Sequence, residues 1–328
     1  MKVKLRIDLI NCHFIVLLCF HLLLLSACKK DDQRTSATQQ SITEDTLISF
    51  HIPDTIPAIP EDTASLQKKT DKLNEALSLY RADSSSLDNI IWYARRLGYL
   101  HRYREAIVVL TRGIHIHPRA PELYRHRGHR LITIRDFDAA IHDLQHAVDL
   151  VRELPLTPEP DGIPNKLDIP LSNLHFNIYY HLALAYYLKG DYTNAAAQWA
   201  TCMKYAVNPD LKVATTAWHF TVLMRMSDST SARALLEPIH PHMEIIENEA
   251  YLQVLLLHKG LLTPDQLIPN PDSLQANEVA QAYGLSCYLE QQGRQAEANT
   301  LRQNILATGQ WPTFGYIAAE ADLININR

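Results

Sequence analysis

A recurrence of 34 residues constrains this chain more than any other feature. Ala94 and Gly128, Leu97 and Leu131, Tyr103 and Phe137, Ala106 and Ala140, Ile107 and Ile141, Leu110 and Leu144, and Gly113 and Ala147 are seven like-for-like pairs at that one spacing. A fixed period with small residues at fixed points, and without strand-like alternation, is the signature of stacked helical hairpins. Short side chains let two antiparallel helices approach, and the apolar ones fill the space between successive hairpins. The expected fold is therefore all-α, an α-solenoid of about six units plus caps. With 47% hydrophobic residues the chain can bury such an interior, and 10 glycines are too few for a turn-dense all-β fold.

Counting Leu87 as position 1, Ala94, Ala106 and Gly113 fall at positions 8, 20 and 27, with Pro118 at 32. The clearest copy starts at Phe176: Tyr179, Leu182, Ala183, Tyr186, Gly190, Tyr192, Ala195, Trp199 and Cys202 take positions 4, 7, 8, 11, 15, 17, 20, 24 and 27. This pattern resembles the tetratricopeptide repeat, with Cys202 an unusual occupant of its last point. The resemblance implies a right-handed superhelix. It is clearest over 87–120, 121–153 and 176–209 and continues, degenerate, over 211–307. The helical domain is expected to span 64–328, with a half-repeat cap from Leu66 to Ala82 and a C-terminal cap over 311–328. Between the second and third copies lies an insertion at 154–172. Its five prolines, Pro155, Pro158, Pro160, Pro164 and Pro170, preclude a continuous helix.

The start of the chain reads as an address. Lys2, Lys4 and Arg6 precede an apolar run from Phe14 to Leu25, too short to cross a bilayer about 30 Å thick and of the length expected in a cleaved signal peptide. Leu25, Ser26, Ala27 and Cys28 resemble the lipobox of bacterial lipoproteins. That implies removal of residues 1–27 and acylation of Cys28, which would anchor the protein in the cell envelope as an outer-membrane lipoprotein. The alternative is an ordinary signal peptide that leaves Cys28 a free thiol. Lys29, Lys30, Asp31 and Asp32 are similar to a surface-export tag but serve equally as a solvated spacer, so the face of the membrane stays open. Residues 28–63, rich in Ser, Thr, Asp, Gln and Pro, read as a disordered tether.

Candidate chemistry is sparse. A formal charge of -5 gives no support for a nucleic-acid partner. His126 with His129, and His142 with His146, could each share a metal on one helical face, but no zinc-protease motif surrounds them and no metal or cofactor is expected. Without a phosphate loop, a nucleophile elbow or a paired-carboxylate motif, the chain reads as non-catalytic. What the repeat resemblance implies instead is a groove lined by the first helix of each hairpin. Its stripe here would be Asp88, Ile91, Arg95 and Gly98 with neighbouring Tyr99, then Glu122, Arg125, His129 and Ile132, then Asn177, Tyr180, Leu184 and Tyr187. Such a groove would be cationic at one end and aromatic at the other, suited to a protein or peptide partner. The Lys and Asn clamp that some repeats use for a terminal carboxylate is missing, since Ile91 and Arg95 hold those points. An accessory role in outer-membrane protein assembly or secretion, and a hydrolase with the insertion as lid, remain as alternatives.

Overall fold

The computed structural model describes residue 59 and residues 61–326. Fourteen helices follow one another along the described residues: α1 (Thr63–Ala82), α2 (Leu87–Tyr99), α3 (Tyr103–Ile116), α4 (Pro121–Thr133), α5 (Phe137–Val151), α6 (Leu174–Leu188), α7 (Tyr192–Cys202), α8 (Pro209–Arg225), α9 (Ser229–Leu236), α10 (Glu249–His258), α11 (Pro264–Leu267), α12 (Val279–Gln291), α13 (Gln295–Ala307) and α14 (Phe314–Ile326). The architecture is an α-solenoid. From α2 to α13 the helices form six consecutive hairpins between α1 and α14, and the described residues hold no strand beyond one isolated bridge.

All six hairpins turn by the same backbone device. His101, Arg135, Gly190, Ser227, Gly260 and Gly293 each stand in the left-handed region, with φ between 60° and 81°. The residue after each donates its N–H five residues back, as from Arg102 to Leu97 O (3.0 Å), Asp136 to Leu131 O (2.9 Å) and Arg294 to Leu289 O (2.9 Å). This is the Schellman closure of a helix C-terminus, satisfying carbonyls that the helix leaves open. In three turns an aspartate then caps the second helix: Asp136, Asp191 and Asp228 accept from the backbone N–H of Ala139, Asn194 and Ser231. Side-chain patterns fade in the last three units while this turn persists.

Packing within a hairpin rests on small residues. Ala106, Ala140, Ala195, Ala232 and Ala298 sit at the same point of five second helices, and none is exposed. Gly128 is smaller still because α5 comes so close that a Cβ there would lie 2.7 Å from Leu144. First helices also touch one another in sequence, α2 to α4, α4 to α6, α6 to α8, α8 to α10 and α10 to α12, forming an inner row that α14 joins against α12. The row doubles back, since α14 also meets α6.

One boundary lies earlier than expected. Ile59 packs on the main apolar core and Asp62 caps α1, so the folded part begins before residue 64. The insertion is ordered: an antiparallel bridge pairs Pro158 with Asn173, Glu159 N–H donates to Ser172 O (2.9 Å) and Leu174 N–H to Thr157 O (3.2 Å). The signal peptide over 1–27, Cys28 and nearly all of the tether lie outside the described residues. No helix among the described residues is long and apolar enough to cross a membrane.

Candidate functional site

The stripe expected to line an open groove is instead largely covered, by two segments of the same chain. Arg95, Arg125, Asn177, Tyr180 and Tyr187 are all buried, Tyr99, Glu122 and His129 are half-buried, and Asp88 alone of the nine is exposed. The insertion covers the cationic end and α14 the aromatic end.

At the cationic end, Glu159 enters from the insertion and meets Arg125 at 3.1 Å. Asn177 donates to the other oxygen of that carboxylate (2.8 Å), and to Ser172 Oγ (2.9 Å). His126 Nε2 lies 3.4 Å from Glu159, while its Nδ1 is 2.8 Å from an Arg125 nitrogen. A neutral ring fits both contacts, accepting at Nδ1 and donating from Nε2. Burial holds His126 well below the usual imidazole range, and Arg125 reinforces it. Further along, Arg96 donates to Gly162 O (2.9 Å). Gly162 lies so tightly on α2 that a Cβ would fall 1.6 Å from the Tyr99 hydroxyl and 2.8 Å from Arg95 Nη2. Arg95 itself stacks on Trp92, 4.4 Å from the ring centre.

Arg130 completes the cationic group. It is 8% exposed, lies on the Tyr103 ring and has no carboxylate partner among the described residues. Burial first, with Arg125 and Arg95 adding to it, carries its guanidinium down to about 10. Arg95, Arg125 and Arg130 thus share a buried face with a single close carboxylate. Asp161 of the insertion is half-buried; burial raises its carboxyl, and Glu247 adds to the rise while Arg95 opposes it.

At the aromatic end the tyrosines belong to the core. Tyr180 stands edge-on to Trp199 at 4.8 Å, and its hydroxyl meets that of Tyr251 at 3.3 Å. Tyr187 bonds to Tyr283 and lies under the Arg225 guanidinium, 5.0 Å away. Helix α14 returns across this region: Phe314 packs on His129 and His181, and Glu320 pairs with Arg135 at 2.6 Å. The C-terminal segment therefore does more than cap the last hairpin.

The two histidine pairs have other neighbours. His129 packs at a tilt against His181, 4.4 Å between ring centres, whereas His126 faces Glu159 and Arg125. His142 is exposed, and His146 lies edge-on to Tyr124. Cys287, Glu290 and Asp322 do bring ligand atoms within 4.8 Å of one another. Their acceptors are already engaged: Asp322 binds Arg225 (2.7 Å) and Tyr283 (3.0 Å), and Glu290 binds Arg302 (2.6 Å). Burial pushes the Cys287 thiol up, away from the thiolate a metal needs. Arg302, which interrupts the apolar pattern of α13, is fully buried in this network. Two guanidiniums and two carboxylates balance there, so the adjoining cavity of about 420 Å³ carries no net charge of either sign.

Glu159, Gly162, Arg96 and Arg130 were not among the residues the repeat pointed to. The available signal was the imbalance itself: three stripe-region arginines with few acids beside them, and two acids, Glu159 and Asp161, between the prolines of the insertion. No protein-family model matches the chain, and neither does any curated protein.

Proposed function

We propose that this chain is a non-catalytic binding scaffold for protein or peptide partners, built from tetratricopeptide-like hairpins and held at the bacterial cell envelope by an acylated Cys28. One observation carries the binding reading. The inner row of first helices already seats an extended, proline-rich segment through side chains, with Glu159 on Arg125 and Asn177, and Gly162 on Arg96. A face that can hold one extended segment has the spacing and donors to hold another.

The test is site-specific photo-crosslinking in the native envelope. A crosslinker at Glu122, on the inner row, captures a defined partner, while one at exposed His142 on α5 does not. Equal labelling from both positions would contradict a specific inner face. The anchor has its own test: Cys28→Ser moves the protein from the membrane fraction to the soluble one, and unchanged fractionation would remove the lipid from the account.

A further inference from the structure

We propose that the 154–172 segment is a built-in competitor for an extended acidic peptide, whose carboxylate displaces Glu159 from Arg125. This rests on the peptide-binding reading above and names the chemistry of its ligand.

Charge complementarity selects the ligand. Arg95, Arg125 and Arg130 are each about 8% exposed, yet only Arg125 has a carboxylate partner among the described residues. Buried cations hold acidic partners strongly because little water competes for them. A peptide with two or more acids would neutralise what Glu159 leaves uncompensated.

Glu159 is also an imperfect occupant. It meets Arg125 through a single 3.1 Å contact, while Arg125 Nε is buried with no partner. A carboxylate lying along the Nε edge would make two parallel bonds where Glu159 makes one. The remaining ties of the segment to the first helices are single polar contacts: Arg96 to Gly162 O, Asn177 to Glu159 and Ser172, His126 Nε2 to Glu159 at 3.4 Å, and Asn208, which caps α8, to Leu171 O. Its outer residues face solvent, with Ile163 66% and Leu167 59% exposed, so release uncovers the arginines without opening an apolar core. Its covalent junctions to α5 and α6 keep the segment beside its site, where a high effective concentration compensates for its poor geometry.

The probe is a synthetic peptide with the sequence of residues 154–173, titrated by calorimetry against the intact mature chain and against a variant in which residues 155–171 become a Gly-Ser run of equal length. The variant binds the peptide at least about tenfold more tightly than the intact chain. A peptide carrying Glu159→Gln and Asp161→Asn binds it at least about tenfold more weakly than the natural one. Where circular dichroism shows the variant misfolded, full-length Glu159→Gln serves in its place with the same expected order. Equal affinity of the intact chain and the variant would overturn the competitor. Equal affinity of the acidic and neutral peptides, or no binding of either, would overturn the acidic ligand. Crosslinking from Glu122 that still finds a partner after such a failure leaves the scaffold reading standing, so the two failures are distinguishable.

Discussion

Arg125 on α4 and Glu159 in the insertion face each other at 3.1 Å, with a tenth of each side chain exposed. The pair joins a repeat helix to a segment that the 34-residue period does not include. The two partners differ in setting: Arg125 stands on a helix of the repeat, whereas Glu159 sits between two exposed prolines of the insertion. Glu159→Ala therefore strands a buried cation and costs about 3 kcal/mol, while Arg125→Met costs less. The double variant loses less than the sum of the two. Urea unfolding of all four proteins checks this, and strict additivity would show that the pair does not interact.

Much of the fold was legible because the repeat is a packing rule. Ala106 and Ala140 must be small wherever two helices cross, so they recur. The units beyond Pro209 were harder to read because their shared device is a backbone conformation, which Ser227 adopts as Gly190 and Gly260 do. The covering of the groove was not legible for a different reason. A stripe of first-helix residues faces inward whether that space is open or filled, and nothing in the period says that Glu159 and Phe314 fill it.

The turn residues give a test of that backbone reading. Ser227 is exposed and holds φ at 63°, a conformation that costs a non-glycine residue about 1 kcal/mol. Ser227→Gly raises the unfolding midpoint by a corresponding amount, and Gly190→Ala lowers it. A loss of stability in Ser227→Gly would contradict the left-handed turn.

Acid sensitivity follows from the buried imidazoles. Burial first, then Arg125, brings His181 down to about 3, and burial with Arg130 holds His129 well below its usual range. Their folded values lie under the unfolded value of about 6.5, so between the two the unfolded chain binds more protons. This stability is complete above about pH 6.5 and falls by about 1.4 kcal/mol per pH unit for each such group as pH drops toward the folded values. His181→Gln flattens the fall. Urea midpoints at pH 7 and pH 5 measure it, and a His181→Gln profile parallel to the parent would remove His181 as a source.

Asp322 locks the last helix. It accepts from Arg225 and Tyr283 and lies 3.2 Å from Arg302, whose guanidinium stays charged because Asp322 and its neighbours outweigh the effect of burial. Asp322→Asn leaves two buried cations with Glu290 as their only carboxylate partner among the described residues and costs about 3 kcal/mol or more. Limited proteolysis after residue 309 reports it: faster cleavage in the variant is expected, and an unchanged rate would separate α14 from the network.

Hydrogen exchange on the intact chain tests the central claim most directly, because it reads the insertion without altering it. The amides of Glu159 and Leu174, which donate to Ser172 and Thr157, exchange slowly in the free protein. Adding the acidic peptide accelerates them while those of α4 stay protected. Amides in this segment that exchange at unprotected rates from the outset, or that stay slow with the peptide bound, would contradict a face held by its own insertion and yielded to a ligand.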